Sequence, residues 1–273
     1  MRIVVLASSV YSETACAMCV RLAETGYVPV GALALRSFNR KILSRKVGQW
    51  GFRGATGYAR AKLIRGEGHS RVRNPYLETL LGNGDEVFRS LRAMASAYRF
   101  PVATCGDQNS PQSVACLKKW SPELIVFTGG DILRKRLLDV PRLGVLNAHL
   151  GLLPKIRGMS SPEWSLMNEI PVGVTIHKID EGIDTGPVLQ QYELPSAADA
   201  KSLDDLRNRL VAFGVEKMAN VIAALSQGTM SARPQAELHN DNQFFVMHER
   251  LQALAAQRLR NVPVPAIARA VHG

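Results

Sequence analysis

The first residues of the chain set its fold class. After Arg2 the sequence reads Ile3-Val4-Val5-Leu6-Ala7, with none of the polar alternation of a strand that has one wet face. Residues 2–7 therefore read as a strand buried on both sides, the kind found in parallel sheets. A helical segment follows from Ser12 to Glu24, and Tyr27 to Leu33 reads as a second strand. Strand, helix, strand in that order implies a crossover connection and an α/β fold with a mostly parallel sheet.

The alternation pauses and then resumes. Residues 36–84 are basic and dotted with glycine, with Trp50, Phe52 and Tyr58 interleaved, and read as an insertion. From Asp85, the residues Val87, Phe88, Leu91, Met94, Ala95 and Tyr98 fall on one helical face that Pro101 ends. Val102 to Cys105 is a short strand. Ser110-Pro111 pairs an N-cap with a proline at the first helical position and starts a helix reaching about Trp120. Leu124 to Thr128 is another buried strand, with Gly129-Gly130 at its carboxyl end, followed by a helix from Leu133 to Leu138 and a strand from Gly144 to Asn147. Ser161-Pro162 starts the next helix, and Val172 to Ile179 alternates as a strand with Gly173, Thr175, His177 and Ile179 on one face. Val188 to Tyr192 is a short strand, a long helix runs from Ser202 toward Leu225 with Gly228 placed to cap it, and a last helix covers Val246 to Leu259. This divides the chain into an α/β domain over 1–195 and a C-terminal helical extension over 196–273.

Composition narrows the class further. With 273 residues and 46% hydrophobic content the chain can bury a large core. No apolar run approaches the roughly 20 residues of a membrane span, and the apolar start is too short for a signal peptide, so a cytoplasmic protein is expected. Cys16 and Cys19 have redox-motif spacing but sit within a helix and have no second pair to complete a zinc site, so they are expected to be buried structural thiols. The net charge is +11, and the stretch Arg36 to Arg73 supplies nearly all of it, with eleven Lys or Arg against the single acid Glu67. Such a stretch attracts phosphates or acidic partners; its bland alternative is a solvated face.

Two segments carry chemistry. The first is Asn147-Ala148-His149-Leu150-Gly151-Leu152-Leu153-Pro154, and the second is Gly173-Val174-Thr175-Ile176-His177-Lys178-Ile179-Asp180-Glu181-Gly182-Ile183-Asp184-Thr185-Gly186-Pro187. A lone His149 would most often be a satisfied core histidine. Asn147 changes that, because positions i and i+2 of an extended segment face the same way. An amide and an imidazole then share one space, as donors to a developing oxyanion do. Asp184 alone would be a turn residue between Gly182 and Gly186; beside His149 it would orient the imidazole and hold it cationic. A His149–His177–Asp184 metal set is the weaker alternative, because it leaves Asn147 without a purpose; Thr175 and His177 are better taken as the pocket wall. The glycines around Asp184 lack the Lys-Ser/Thr of a Walker site, and Ser8-Ser9 lacks dinucleotide-loop spacing, so no nucleotide cofactor is expected.

The ordered set Asn147-x-His149, Leu152-Leu153-Pro154, Arg157-Gly158, Gly173-x-Thr175-x-His177 and Asp180-x-Gly182-x-Asp184-x-Gly186-Pro187 resembles the folate-dependent formyltransferases, which act on glycinamide ribonucleotide, methionyl-tRNA or amino sugars. The resemblance covers residues 1–10 and 100–225, and leaves out the basic insertion and the last forty residues. It implies a Rossmann-like domain, 10-formyltetrahydrofolate as formyl donor, and a catalytic site of Asn147, His149 and Asp184. It also places the folate pterin against Gly130, Asp131, Ile132 and Leu133 and against Asp180, Glu181 and Gly182. Many relatives carry serine where this chain has Gly151, which opens a question about one contact beside the site.

The expected activity is formyl transfer to a small amine, such as an amino sugar on a nucleotide or another phosphate-bearing amine, with no metal. Transfer to methionyl-tRNA is an alternative that the basic stretch favours and the short segment after Pro195 disfavours. A formyltetrahydrofolate hydrolase, and a nucleic-acid or carrier-binding protein using the basic insertion, are further alternatives. The aromatics Trp50, Phe52 and Tyr58 would permit base stacking in the last case. The sequence leaves the acceptor and the oligomeric state open.

Overall fold

The computed structural model describes residues 1–36, 74–81, 89–195, 197–236 and 240–261. Except for Arg36, the basic stretch lies outside the described residues, as do Val87 and Phe88.

The core is a seven-stranded sheet in the order β3-β2-β1-β4-β5-β7-β8. The strands are β1 (Ile3–Ala7), β2 (Gly31–Leu35), β3 (Val102–Cys105), β4 (Leu124–Phe127), β5 (Val145–His149), β7 (Gly173–Lys178) and β8 (Val188–Glu193). The first five run parallel; β7 and β8 add as antiparallel partners. All five residues of β1 are fully buried, as a central strand with both faces covered requires.

Five of the helices start at a side chain that caps the first turn. In α1 (Glu13–Glu24) the Ser12 side chain accepts from the Ala15 amide. The helix α2 (Pro75–Glu78) is capped by Asn74 and α3 (Leu91–Tyr98) by Ser90. In α4 (Pro111–Trp120) Ser110 caps and Pro111 occupies the first turn. Two shorter helices follow, α5 (Lys135–Leu138) and α6 (Ser161–Met167). The long helix α7 (Leu203–Ser226) is capped by Ser202, with Asp204 and Asp205 at the positive end of its dipole.

Two apolar layers cover the sheet. On one face α1 and α7 bury Cys16, Met18, Leu22, Leu206, Leu210, Val215, Met218 and Ile222 against Ile3, Val5, Leu146, Val174 and Ile176. Each fully buried side chain of this size contributes about 1.5–3 kcal/mol. Gly214 lets α7 approach β5 and β7, since a Cβ there would lie 3.3 Å from the Ala148 methyl. Although α7 follows the boundary expected at 195/196, it is part of this same core. Burial pushes the Cys16 thiol up to about 12 and Cys19 well above its ordinary value, so both stay protonated and inert. On the other face α4 and α5 cover Val4, Leu6, Ile125 and Val145 with Val114, Leu117, Leu133 and Leu137.

Several boundaries differ from expectation, the start of α3 at Leu91 rather than Asp85 among them. The second strand is Gly31–Leu35 rather than Tyr27 to Leu33, because the Tyr27 amide still turns back to the Leu22 carbonyl and parallel pairing with β1 starts at Gly31. The strand β5 extends through His149, paired there with Thr175 of β7, so Asn147 and His149 lie inside the sheet. The last helix, α8 (Glu249–Leu259), starts later than Val246, because the preceding residues make the strand β9 (Gln243–Phe244).

That short strand ties the C-terminal segment to the site region. It pairs with β6 (Arg157–Gly158), and the Met159 amide donates to the Phe244 carbonyl at 2.9 Å. The Trp164 indole stacks on Phe244 and donates to the Phe245 carbonyl. The Glu163 carboxylate of α6, fully buried, pairs with Arg207 of α7. At Gly158, φ is +91° and a Cβ would stand 2.2 Å from the Phe244 carbonyl oxygen. Gly158→Ala should therefore cost roughly 1–3 kcal/mol in backbone strain alone and expel β9. Urea unfolding and proteolysis of the C-terminal segment should both show the loss; unchanged stability would mean that β9 does not dock this closely.

Candidate active site

The site is built on the face that α4 and α5 cover further along the sheet. Because side chains alternate, Asn147 and His149 of β5 and Thr175 and His177 of β7 point the same way, and the pairing Asn147 with His177 and His149 with Thr175 sets them side by side.

The third element, Asp184, does not arrive along a strand. Since β7 runs antiparallel, its end at Lys178 stands level with Leu146, three residues short of His149. The loop over residues 179–187 folds back over the sheet to close that gap. Several local devices shape it. Asp180 Oδ1 accepts from the Gly182 amide at 3.1 Å and from the Thr185 hydroxyl at 2.7 Å, a side-chain-built turn. Gly186 passes so close to β7 that a Cβ would fall 1.9 Å from the Lys178 carbonyl oxygen. Asp184 itself sits at φ +53°, a conformation aspartate tolerates better than most residues. Gln235, beyond α7, donates to the Asp184 and Gly186 carbonyls at 2.9 and 2.7 Å.

This brings one carboxylate to two buried imidazoles. Asp184 Oδ2 lies 3.4 Å from His149 Nδ1, and Oδ1 lies 3.6 Å from His177 Nε2. Asp184 Oδ2 also accepts from the Gly158 amide at 2.8 Å.

Hydrogen-bond partners assign the rings. His177 Nδ1 is 2.8 Å from the Lys178 carbonyl, which only accepts, so Nδ1 carries the proton. Its Nε2 is then an acceptor, filled by the Asn147 amide Nδ2 at 3.2 Å. This orients the Asn147 side chain and leaves its second N–H for another acceptor. Burial, and then the neighbouring His149, pull the His177 pKa from 6.5 down to about 4, against the opposing pull of Asp184. His149 Nε2 lies 2.8 Å from the Ile156 carbonyl, so that nitrogen bears a proton and Nδ1 faces Asp184. Thr175 secures the intervening loop, donating to the Gly151 carbonyl at 2.7 Å and accepting from the Leu153 amide at 3.1 Å.

The segment Gly130 to Leu133 follows β4 at the carboxyl edge of the parallel strands, where ligands bind in open α/β sheets. Gly129 and Gly130 have φ of +125° and +150°. The fully buried Gln108 holds them: its amide nitrogen donates to the Ala7 carbonyl, and its Oε1 accepts from the Asp131 amide at 3.0 Å. Asn109 adds bonds from the Arg134 amide and to the Ile132 carbonyl. Ile132 is left 63% exposed while Leu133 is buried. On the other segment, Ile183 is also exposed.

Sequence reasoning missed Gln108, Asn109, Gln235 and Ser161. Gln108 and Asn109 had one available signal, a polar Asp-Gln-Asn-Ser run after a strand, and so at the same sheet edge. No group of three or more His, Cys, Asp or Glu among the described residues could hold a metal ion. No helix among them is long and apolar enough to cross a membrane.

The neutral state of His177 has a measurable consequence. Between its unfolded value of 6.5 and its folded value of about 4, the unfolded chain takes up a proton that the folded chain refuses. Stability should therefore fall as pH drops through that window. His177→Asn should reduce this pH dependence by up to about 3 kcal/mol, at roughly 1.4 kcal/mol per pKa unit. Urea unfolding of both proteins across the window tests it, and parallel curves would show that His177 is not held neutral.

Residues 89–222 match the family model described as formyl transferase. A methionyl-tRNA formyltransferase of Pelobacter propionicus is 33% identical over 173 residues, covering 63% of this chain and 49% of that protein. Another, from Thermodesulfovibrio yellowstonii, is 40% identical over 121 residues, covering 44% and 39%. The chain thus spans about half the length, or less, of these curated relatives. Among solved structures, glycinamide ribonucleotide transformylase 1 from Symbiobacterium toebii has a TM-score of 0.55 at 15% identity, covering 86% of this chain and 95% of that one. A sugar N-formyltransferase from Shewanella sp. FDAARGOS_354 has a TM-score of 0.54 at 14% identity, covering 95% and 87%. These two likenesses show the fold.

Proposed function

We propose that this chain, which carries a domain of the formyltransferase family over residues 89–222, moves a formyl group from 10-formyltetrahydrofolate to the amine of an aminoacyl-tRNA. The observation that carries the reaction is the meeting of Asn147, His149 and Asp184 on one buried sheet face within that domain. The donor supplies an activated formyl carbon. Its pterin is assigned to the segments Gly130 to Leu133 and Asp180 to Gly182; the exposed Ile132 of the first, and Ile183 just after the second, offer apolar surface suited to a flat ring.

In this mechanism a neutral amine attacks the formyl carbon. The free N–H of Asn147 and the imidazole of His149 stabilise the oxyanion that forms. Asp184 holds His149 and accepts the proton that the attacking nitrogen sheds. As the tetrahedral centre collapses, that proton returns to the departing folate nitrogen, leaving an N-formyl product and tetrahydrofolate. His177 keeps Asn147 turned toward the reacting centre.

The acceptor rests on two supports. The relatives at 33% and 40% identity are named for methionyl-tRNA, and the stretch Arg36 to Arg73 carries a net charge of +10, suited to a polyphosphate backbone. This replaces the small phosphate-bearing amine as the favoured acceptor. Amino-sugar nucleotides become the comparison arm of the test, and action in the cytoplasm follows from a tRNA acceptor.

The protein should be mixed with 10-formyltetrahydrofolate and, separately, methionyl-tRNA, a panel of amino-sugar nucleotides, or buffer alone. Formyl-methionyl-tRNA is the expected product. Transfer only to a sugar would overturn the acceptor, release in buffer alone would indicate a hydrolase, and no turnover would sink the enzyme reading. Asn147→Ala, His149→Ala and Asp184→Ala should each lower kcat by roughly 100-fold or more while the fold is kept.

A further inference from the structure

Ser161 has no part in the mechanism above, yet its hydroxyl lies against His149. The side chain is 4% exposed at the first residue of α6. Its Oγ is 3.1 Å from the Gly158 carbonyl and 3.3 Å from His149 Nε2. The hydroxyl has one proton, and the carbonyl can only accept it. The oxygen is therefore free to accept from Nε2, whose proton the Ile156 carbonyl also draws. The Gly158 amide in turn donates to Asp184 Oδ2, the atom facing His149 Nδ1. His149, Asp184, Gly158 and Ser161 thus close a ring of polar contacts around the imidazole.

The position of Gly151 fits this arrangement. A Cβ there would stand 3.1 Å from His149 Nε2, 3.1 Å from the Ser161 Cβ and 3.2 Å from Ile156 Cγ2. Gly151 does not have a positive φ, so the backbone does not demand glycine; a Cβ there would make His149, Ser161 and Ile156 give by a few tenths of an ångström. A methyl there would press on Ser161 Cβ and His149 Nε2, the two side chains whose contact is at issue.

We propose that Ser161 is a positioning residue for His149, fixing Nε2 as a proton-bearing nitrogen and presenting Nδ1 to Asp184 and the reacting centre, with Gly151 kept small to make room for it. The consequence for rate rests on the formyl-transfer reading; the contact itself does not. Two readouts separate them. In long-range proton–nitrogen spectra of protein labelled at histidine nitrogen, Ser161→Ala should shift the His149 Nε2 signal and leave the His177 signals in place. In formyl-transfer assays the same variant should lower kcat roughly 10- to 100-fold, as small displacements of catalytic groups do. KM for both substrates should stay within about twofold, the signature of an interaction used in the transition state.

Gly151→Ala should move both readouts in the same direction, and it carries the test if Ser161→Ala fails to fold. Wild-type kcat together with unmoved His149 signals in these variants overturns the proposal. If the wild type transfers no formyl group but Ser161→Ala still shifts the His149 signal, the reaction falls and the positioning role stands.

Discussion

The bond from the Gly158 amide to the Asp184 carboxylate is the contact on which the site depends. It joins two pieces of chain that leave the sheet at different strands. On one side is the loop after β7, which must leave the sheet and return. On the other is the segment between β5 and α6, which β9 clamps from the far end of the chain. Besides that bond, the loop carrying Asp184 is anchored by its own turn, by Gln235 and by the Lys178 and Ile179 amides at its base. With that bond, the carboxylate sits at a fixed distance from both imidazoles.

Those imidazoles share a single carboxylate, and their surroundings divide the work. His177 is more deeply buried, its Nδ1 proton is committed to a backbone carbonyl, and its pKa is held near 4. It therefore serves as an acceptor and orients the amide of Asn147. His149 has an acceptor at each nitrogen, the Ile156 carbonyl at one and Asp184 at the other. Two residues of one type, on neighbouring strands and facing the same space, so take opposite hydrogen-bonding roles. The difference comes from what each ring nitrogen meets and not from the residue itself.

Much of this was legible in the chain. The uninterrupted apolar runs at Ile3 and Leu124 mark strands covered on both sides, and both are central in the sheet. Serine caps before α1, α4 and α7 locate helix starts to the residue, because the cap is a local hydrogen bond between near neighbours. Other features were not legible. Tyr27 to Leu33 has a strand-like composition throughout, but the ladder begins only where the partner strand stands alongside. The strand β9 has two residues and no periodicity, and it exists because Gly158 leaves its carbonyl partner room. Gln108 is fully buried and polar, a placement that only the loops around it make tolerable.

The sequence by itself determined which residue types stand at Asn147, His149, Thr175 and His177 and that each pair shares a face, because the two-residue period of a strand is a property of the backbone. It also determined that residues 180–186 turn, through Asp180 and the glycines. Only the tertiary structure decided that β7 runs antiparallel beside β5, that Asp184 folds back to meet His149, that His177 and not His149 holds Asn147, and that Ser161 fills the space Gly151 leaves. Each of these depends on contacts between residues distant in sequence, for which no local propensity carries information.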